Sequence, residues 1–182
     1  MKVTKGLSLP DLAALVCDIC LKDGIDVVLS GGACVSIYTE NFYVSYDLDF
    51  VLRASVPQKT IEATMSKLGF RKDGRHYRHP HNLYIVEFLS PPLSVGEEPV
   101  REIREIRTRT GVLRLLSPTD CVKDRLAAFF HWNDRPSLRQ AILVCSAKDV
   151  DLREVRQWSL REGMKDKYGI FRKQLAKALK EP

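Results

Sequence analysis

The sequence predicts an α/β core followed by a set of helices. Strand-like apolar runs alternate with helical apolar spacing in the first two-thirds of the chain, whereas only helical spacing is found after Ser117. With 182 residues, of which 45% are hydrophobic, the chain is long enough for one full core with a smaller helical appendage. We place the boundary near Ser117, which gives an α/β core at 1–117 and a helical region at 118–182.

The elements of the core follow from capping residues, glycines and periodicity. Ser8 and Asp11 mark the start of a first helix over 12–21, and Gly24 is placed to end it. Pro57 opens a later helix that Gly69 stops. The predicted order after the first helix is a strand at 26–30, a helix at 33–38, a strand at 47–53, a helix at 57–68, strands around 76 and at 83–89, and an edge hairpin at 103–116.

The helical region begins at the run Ser117-Pro118-Thr119-Asp120, which is typical of a helix start. Apolar spacing beyond it predicts four helices, at about 119–132, 137–147, 152–162 and 168–179.

The charge of the chain is modest but uneven. The formal net charge is +6, and residues 152–182 contain nine basic and four acidic residues, so most of the excess lies on the last helices. Those helices are predicted to face either a nucleic acid or only solvent.

The five cysteines predict buried, reduced thiols, because their number is odd and their neighbours are apolar. The pair Cys17 and Cys20 has the spacing of a redox motif or half a zinc site, but it lies within the first helix and no second such pair follows. Core packing is therefore favoured. Trp132 and Trp158 are likewise predicted to lie in the core or an interface rather than to stack on bases.

No apolar run is long enough to span a bilayer, and the N-terminus lacks the features of a signal peptide. We therefore expect a cytoplasmic protein with no membrane partner.

The residues that carry chemistry begin at Gly31 and Gly32, which follow a strand. A glycine pair at this place lets the backbone approach a ligand closely, and the next helix begins with amides and a dipole that favour a phosphate. Asp47 and Asp49 are two residues apart on the next strand, so both carboxylates point to the same face. Oxygen ligands of this kind suit Mg²⁺, and Glu87, embedded in an apolar strand, is the candidate for a third carboxylate.

These features resemble the minimal nucleotidyltransferase superfamily, and in detail its AbiEii-type and related toxin-antitoxin members. In such proteins a glycine turn precedes an Asp-x-Asp strand and a later acidic strand residue, and a helical bundle follows the core. The residues that carry the resemblance are Leu29-Ser30-Gly31-Gly32-Ala33, Ile37-Tyr38 and Ser45-Tyr46-Asp47-Leu48-Asp49-Phe50.

The resemblance implies a polymerase beta-like mixed sheet with helices, followed by a C-terminal helical bundle. It also implies transfer of a nucleoside monophosphate from an NTP to a hydroxyl on RNA, protein or a small molecule, with Mg²⁺ or Mn²⁺ as cofactor. The residues so implied are Asp47, Asp49 and Glu87 as metal-binding and catalytic carboxylates, and Ser30, Gly31, Gly32, Ser45, Lys123 and Arg125 as nucleotide-binding residues.

Several alternatives remain open. The helix that carries Lys123 and Arg125 departs from the usual pattern of the toxin members, so an inactive nucleotide-binding or toxin-antitoxin interaction module is a second hypothesis, and a nucleic-acid-binding protein that uses its basic C-terminal helices is a third. Glu87 is also interpretable as a sheet-edge residue paired with an arginine. A homodimer or a toxin-antitoxin partner is a further expectation.

The histidines between residues 76 and 81 are predicted to belong to a polar hairpin rather than a zinc site. The basic residues near them are candidates for contact with RNA phosphates or with the acceptor.

Overall fold

The computed structural model describes residues 3–180, which form one mixed seven-stranded sheet, a small two-stranded sheet and seven helices. The strands are β1 Val27–Ser30, β2 Asp47–Leu52, β3 Arg71–Asp73, β4 His76–His79, β5 Asn82–Leu89, β6 Ser94–Val95, β7 Glu98–Pro99, β8 Ile103–Thr108 and β9 Gly111–Leu116. The helices are α1 Leu9–Lys22, α2 Gly31–Tyr38, α3 Gln58–Lys67, α4 Pro118–Trp132, α5 Arg135–Ala147, α6 Leu152–Arg161 and α7 Lys165–Ala178. The predicted fold class is confirmed.

The large sheet has the strand order β3-β4-β5-β2-β1-β9-β8. Strand β2 runs antiparallel to β1 and parallel to β5, while β1 runs parallel to β9. The interior strand β1 is buried along its whole length, so the sheet is covered on both faces at this point.

One face of β2, β4 and β5 belongs to the core. Phe50 and Phe88 stack with ring centroids 5.9 Å apart, and Tyr77 meets Phe88 edge-on at 5.6 Å. These side chains alternate with polar ones, because successive residues of a strand point to opposite faces. The opposite face carries Asp47, Asp49 and Glu87 together with apolar residues such as Ile85, and it is called the polar face below.

The four C-terminal helices pack against the sheet through α2 and through the small β6-β7 sheet. Trp158 on α6 is fully buried, stacks on Phe130 at a centroid distance of 5.5 Å, and donates a hydrogen bond from Nε1 to the Val95 carbonyl at 3.3 Å. A single buried apolar cluster runs through both parts of the chain. Within residues 3–180, no helix combines the length and apolar character needed to cross a membrane.

The predicted elements agree with the structure apart from a few differences. Helix α2 begins at Gly31 rather than at Ala33, and β3, β6 and β7 were not predicted because strands of two or three residues are too short to show a periodicity. Trp158 lies in the core, whereas Trp132 is 77% exposed, so for Trp132 only the interface half of the prediction remains. Cys17 and Cys20 lie in the core, as predicted, and burial raises the pKa of each thiol to about 12.

Candidate functional site

The site is built on the turn between β1 and α2. Gly31 has a φ of +68°, which a residue with a side chain rarely adopts, and an added Cβ at this position would lie 2.5 Å from Asp49 Oδ2. The backbone of the turn therefore lies directly against a carboxylate of the neighbouring strand. At Gly32 an added Cβ would lie 3.2 Å from Ser45 Oγ and 3.4 Å from the Tyr43 hydroxyl.

Asp47 and Asp49 lie on the polar face of β2, on one side of the strand as predicted. Asp47 is exposed and Asp49 is half-buried. Within residues 3–180, neither carboxylate has a hydrogen-bond or ion-pair partner. Two neighbouring acids without a paired cation produce a local negative charge that favours binding of a cation.

The pKa of Asp49 is raised to about 6. Burial is the main cause, followed by repulsion from the charges of Glu87 and Asp47, and Arg125 opposes the shift. A carboxyl group whose pKa is raised by burial and by like charges is typical of a functional site rather than of a structural ion pair.

Glu87 lies beside Asp49, because the two residues are register partners in the parallel strands β5 and β2. Its carboxylate oxygens lie 3.3 Å from Arg75 Nε and 3.2 Å from His76 Nε2. The alternative interpretation, a sheet-edge residue paired with an arginine, is correct in the arginine partner, but β5 lies between β4 and β2 and is not an edge strand. Among the residues that the structure describes, no group of three or more His, Cys, Asp or Glu side chains is arranged to hold a metal ion.

Ser30 and Ser45 support the backbone of the two aspartates. Ser30 Oγ donates a hydrogen bond to the Asp49 carbonyl at 3.1 Å, and Ser45 Oγ donates one to the Asp47 carbonyl at 3.1 Å. Because Ser30 is bonded to β2, its side chain does not cap α2. The first amides of α2 are thus left without a side-chain acceptor, as a phosphate-binding helix start requires.

The two predicted basic residues of α4 lie in different environments. Arg125 is bonded to Asp124 at 2.5 Å and influences the charge state of Asp49. Lys123 is buried and forms ion pairs of 2.7 Å with both Asp120 and Glu154. The structure thus brings Arg125 near the aspartates, whereas the Lys123 ammonium is held between α4 and α6.

A cavity of about 210 Å³ continues the polar face beyond Asp49. It is lined by Val51 and Leu89 of the sheet, by Ser30, by Asp124 of α4 and by the loop from Ser90 to Ser94. The position places the cavity between the sheet and the first helix of the helical region.

Two residues of the site were not predicted as such. Asp124 lines the cavity, and Arg75 is bound to Glu87. Arg75 had a sequence signal, as one of the basic residues near the histidines, whereas the contacts of Asp124 with the sheet join distant parts of the chain and leave no local pattern. Tyr43, which the sequence places near the acids as a base-stacking or strand-packing residue, lies with its hydroxyl beside Gly32.

Comparison with solved structures identifies the fold as nucleotidyltransferase-like. An antigenic nucleotidyltransferase-like protein from Paracoccidioides brasiliensis is similar over 79% of this chain and 78% of its own, with a TM-score of 0.61 and 13% identity. The antibiotic-resistance factor ANT(2'')-Ia is similar over 94% of both chains, with a TM-score of 0.51 and 14% identity.

Comparisons at the level of sequence add no relative. No family model matches the chain, and no curated protein matches it either.

Proposed function

We propose that this protein is a metal-dependent nucleotidyltransferase that moves a nucleoside monophosphate from an NTP to an acceptor hydroxyl. The observation that carries the proposal is the Asp49 carboxylate, which lies against the Gly31 backbone with two like charges beside it and no paired cation. The nucleotidyltransferase-like fold of the compared structures supports the same reading.

The residues present fit a divalent cation. Asp47 and Asp49 offer oxygen ligands on one face, and burial together with the charges of Glu87 and Asp47 raises the pKa of Asp49. Bound between these carboxylates and the nucleotide phosphates, Mg²⁺ or Mn²⁺ would supply charge neutralisation.

The nucleotide would lie with its phosphates at the start of α2. The first amides of α2 have no side-chain cap and can donate to a phosphate, and the helix dipole favours its charge. Arg125 adds a positive charge close to Asp49. The cavity beside Ser30 and Asp124 provides space next to the carboxylates for part of the nucleotide.

The reaction would be an in-line displacement at the α-phosphorus. The acceptor oxygen forms a new bond to this phosphorus, the bond from phosphorus to the bridging oxygen breaks, and pyrophosphate leaves. In the proposed reaction Glu87 would supply the third carboxylate and would accept the hydroxyl proton after its contacts with Arg75 and His76 open.

The test is incorporation of labelled NTP into acceptor pools of RNA, protein and small molecules. We expect the wild-type protein to transfer label in the presence of Mg²⁺ and Asp47→Asn to reduce transfer at least about a thousandfold, since it removes a metal ligand. Asp149→Asn, an exposed acid outside the site, is the matched control and should retain activity.

Two outcomes would contradict the proposal. Transfer that survives Asp47→Asn would exclude the assigned site. Nucleotide binding without transfer from any of the four NTPs to any acceptor would instead support the non-catalytic module, including one that acts in a toxin-antitoxin pair.

A further inference from the structure

The polar face of the sheet extends well beyond the two aspartates. The register places Arg71 opposite Arg78, Arg78 opposite Ile85, and Ile85 opposite Asp47. Side chains of directly opposite residues point to the same face. These residues therefore form one row across the four strands β3, β4, β5 and β2.

A second row lies beside the first. It runs from Asp73 through His76 and Glu87 to Asp49. Arg75, whose side chain is 77% exposed, precedes this row and is bound to Glu87. The outer half of the face is thus rich in arginine, and its inner half contains the candidate carboxylates.

The face is open to solvent. Arg71, Asp73 and Arg78 are exposed. Helix α3 contacts the other side of this region, where Lys72 is bound to Glu62 at 2.8 Å. Within the described part of the chain, no helix covers the arginines.

The charges of the outer half are incompletely balanced. Arg78 is bound to Asp73 at 2.8 Å, but the Arg71 side chain has no ion pair or hydrogen bond among residues 3–180. Two like charges directly opposite each other in a sheet repel. An anion bound between Arg71 and Arg78 would remove this repulsion. The two arginines therefore form a surface whose charge is complementary to an anion.

The distance from these cations to the carboxylates defines the size of the ligand. Neighbouring strands lie about 4.8 Å apart, so the backbone of Arg78 lies about 10 Å and that of Arg71 about 14 Å from Asp47. An anion bound there is therefore separated from the hydroxyl that reacts and lies on another part of the acceptor. A polymer with regularly spaced phosphates carries anions at such distances from its terminal hydroxyl.

We propose that the acceptor is a single-stranded polynucleotide whose phosphates bind along Arg71, Arg75 and Arg78, with its hydroxyl presented to Asp47 and Asp49. This inference rests on the proposed function and specifies its acceptor. Arg75 links the two halves of the face, because a phosphate that takes its guanidinium leaves the Glu87 carboxylate with His76 as its remaining partner.

Binding of a short single-stranded RNA is measured without NTP or metal, over a series of salt concentrations. We expect Arg71→Ala/Arg78→Ala to weaken binding about tenfold near 50 mM salt and to reduce the slope of log affinity against log salt by about 1.4, since two phosphate contacts are lost. Both side chains are exposed, so the variant should fold. Asp47→Asn should bind the RNA as the wild type does.

The matched control is Arg153→Ala/Arg156→Ala, which removes the same charge from exposed positions of α6. It should bind like the wild type. Equal losses of RNA affinity in both double variants, or a loss confined to the α6 variant, would overturn the proposal. Such a result would favour the basic C-terminal helices as the RNA-binding surface.

The activity assay separates this inference from the proposed function. Transfer of label to a protein or small molecule, unchanged in Arg71→Ala/Arg78→Ala, would refute the polynucleotide acceptor while the transferase remained. RNA binding that depends on the arginines, in a protein that transfers no nucleotide, would refute the transferase alone.

Discussion

Asp49 shows how one residue can be unfavourable for folding and useful for function. Its carboxylate is partly buried, faces the charges of Glu87 and Asp47, and has its pKa raised from 3.8 to about 6. Above that pH the folded protein must keep a charged carboxylate in an environment that disfavours it. Such a cost is expected at a site that a cation later neutralises.

This shift predicts a pH dependence of stability. The folded state holds the Asp49 proton more tightly than the unfolded state. The stability that the protonated carboxyl contributes is therefore fully present below pH 3.8 and is lost as the pH rises through about 6. Asp49→Asn removes this loss and should raise the free energy of unfolding at pH 8 by about 3 kcal/mol, with little change at pH 4.

Denaturant unfolding of both proteins at the two pH values measures this effect. Asp149→Asn serves as the control, because Asp149 is exposed and outside the site. An Asp49→Asn protein less stable than the wild type at pH 8 would show that the charged carboxylate is favourably bound.

At the level of elements, the unit that matters is the strand β1, its glycine turn and the helix α2. The turn needs a positive φ at Gly31, and it needs the space that a missing Cβ leaves for Asp49. The two requirements can be separated, because Gly24, after α1, has a similar φ of +75° but no atom within 4 Å of an added Cβ.

Gly31→Ala should therefore be more harmful than Gly24→Ala. Both substitutions impose backbone strain of about 1–2 kcal/mol, and only Gly31→Ala also displaces the Asp49 carboxylate. Thermal unfolding measures the effect of backbone strain on stability. Nucleotide transfer or nucleotide binding measures the effect of displacing the Asp49 carboxylate. Normal activity of Gly31→Ala would mean that Asp49 need not lie against the turn.

At the level of the whole molecule, the helices of the C-terminal region are held to one another by charged as well as apolar contacts. Lys123 is 4% exposed and links Asp120 on its own helix to Glu154 on α6. Its two acids raise the pKa of the ammonium, although burial alone would lower it. The residue predicted to bind a phosphate is thus already neutralised within the helical region.

Lys123→Met should consequently reduce stability by about 3 kcal/mol, because the buried Asp120 carboxylate loses its partner. Nucleotide affinity of the folded variant should change little. Calorimetric unfolding and a nucleotide titration measure the two effects, and Glu154→Gln, which alters only the more exposed partner, should be milder. A large loss of nucleotide affinity with normal stability would return Lys123 to the binding site.

How far the sequence predicted this protein depends on the range of the interactions concerned. Helix starts such as Ser8 and Ser117 were correct because capping is local, and each side chain accepts a hydrogen bond within three residues. The alternation of Asp47 and Asp49 was predicted for the same reason. The partners of Glu87 were open, since strand order and register decide which residues lie beside it.

The sequence by itself therefore determined the helices and the longer strands, the glycine turn and the side of the strand on which Asp47 and Asp49 lie, because these depend on neighbours a few residues apart. Only the tertiary structure decided that Asp49 lies against Gly31, that Lys123 is held between two helices, and that Arg71 and Arg78 share a face with the carboxylates. Those contacts join residues far apart in the chain, and only the pairing of strands and the packing of helices bring them together.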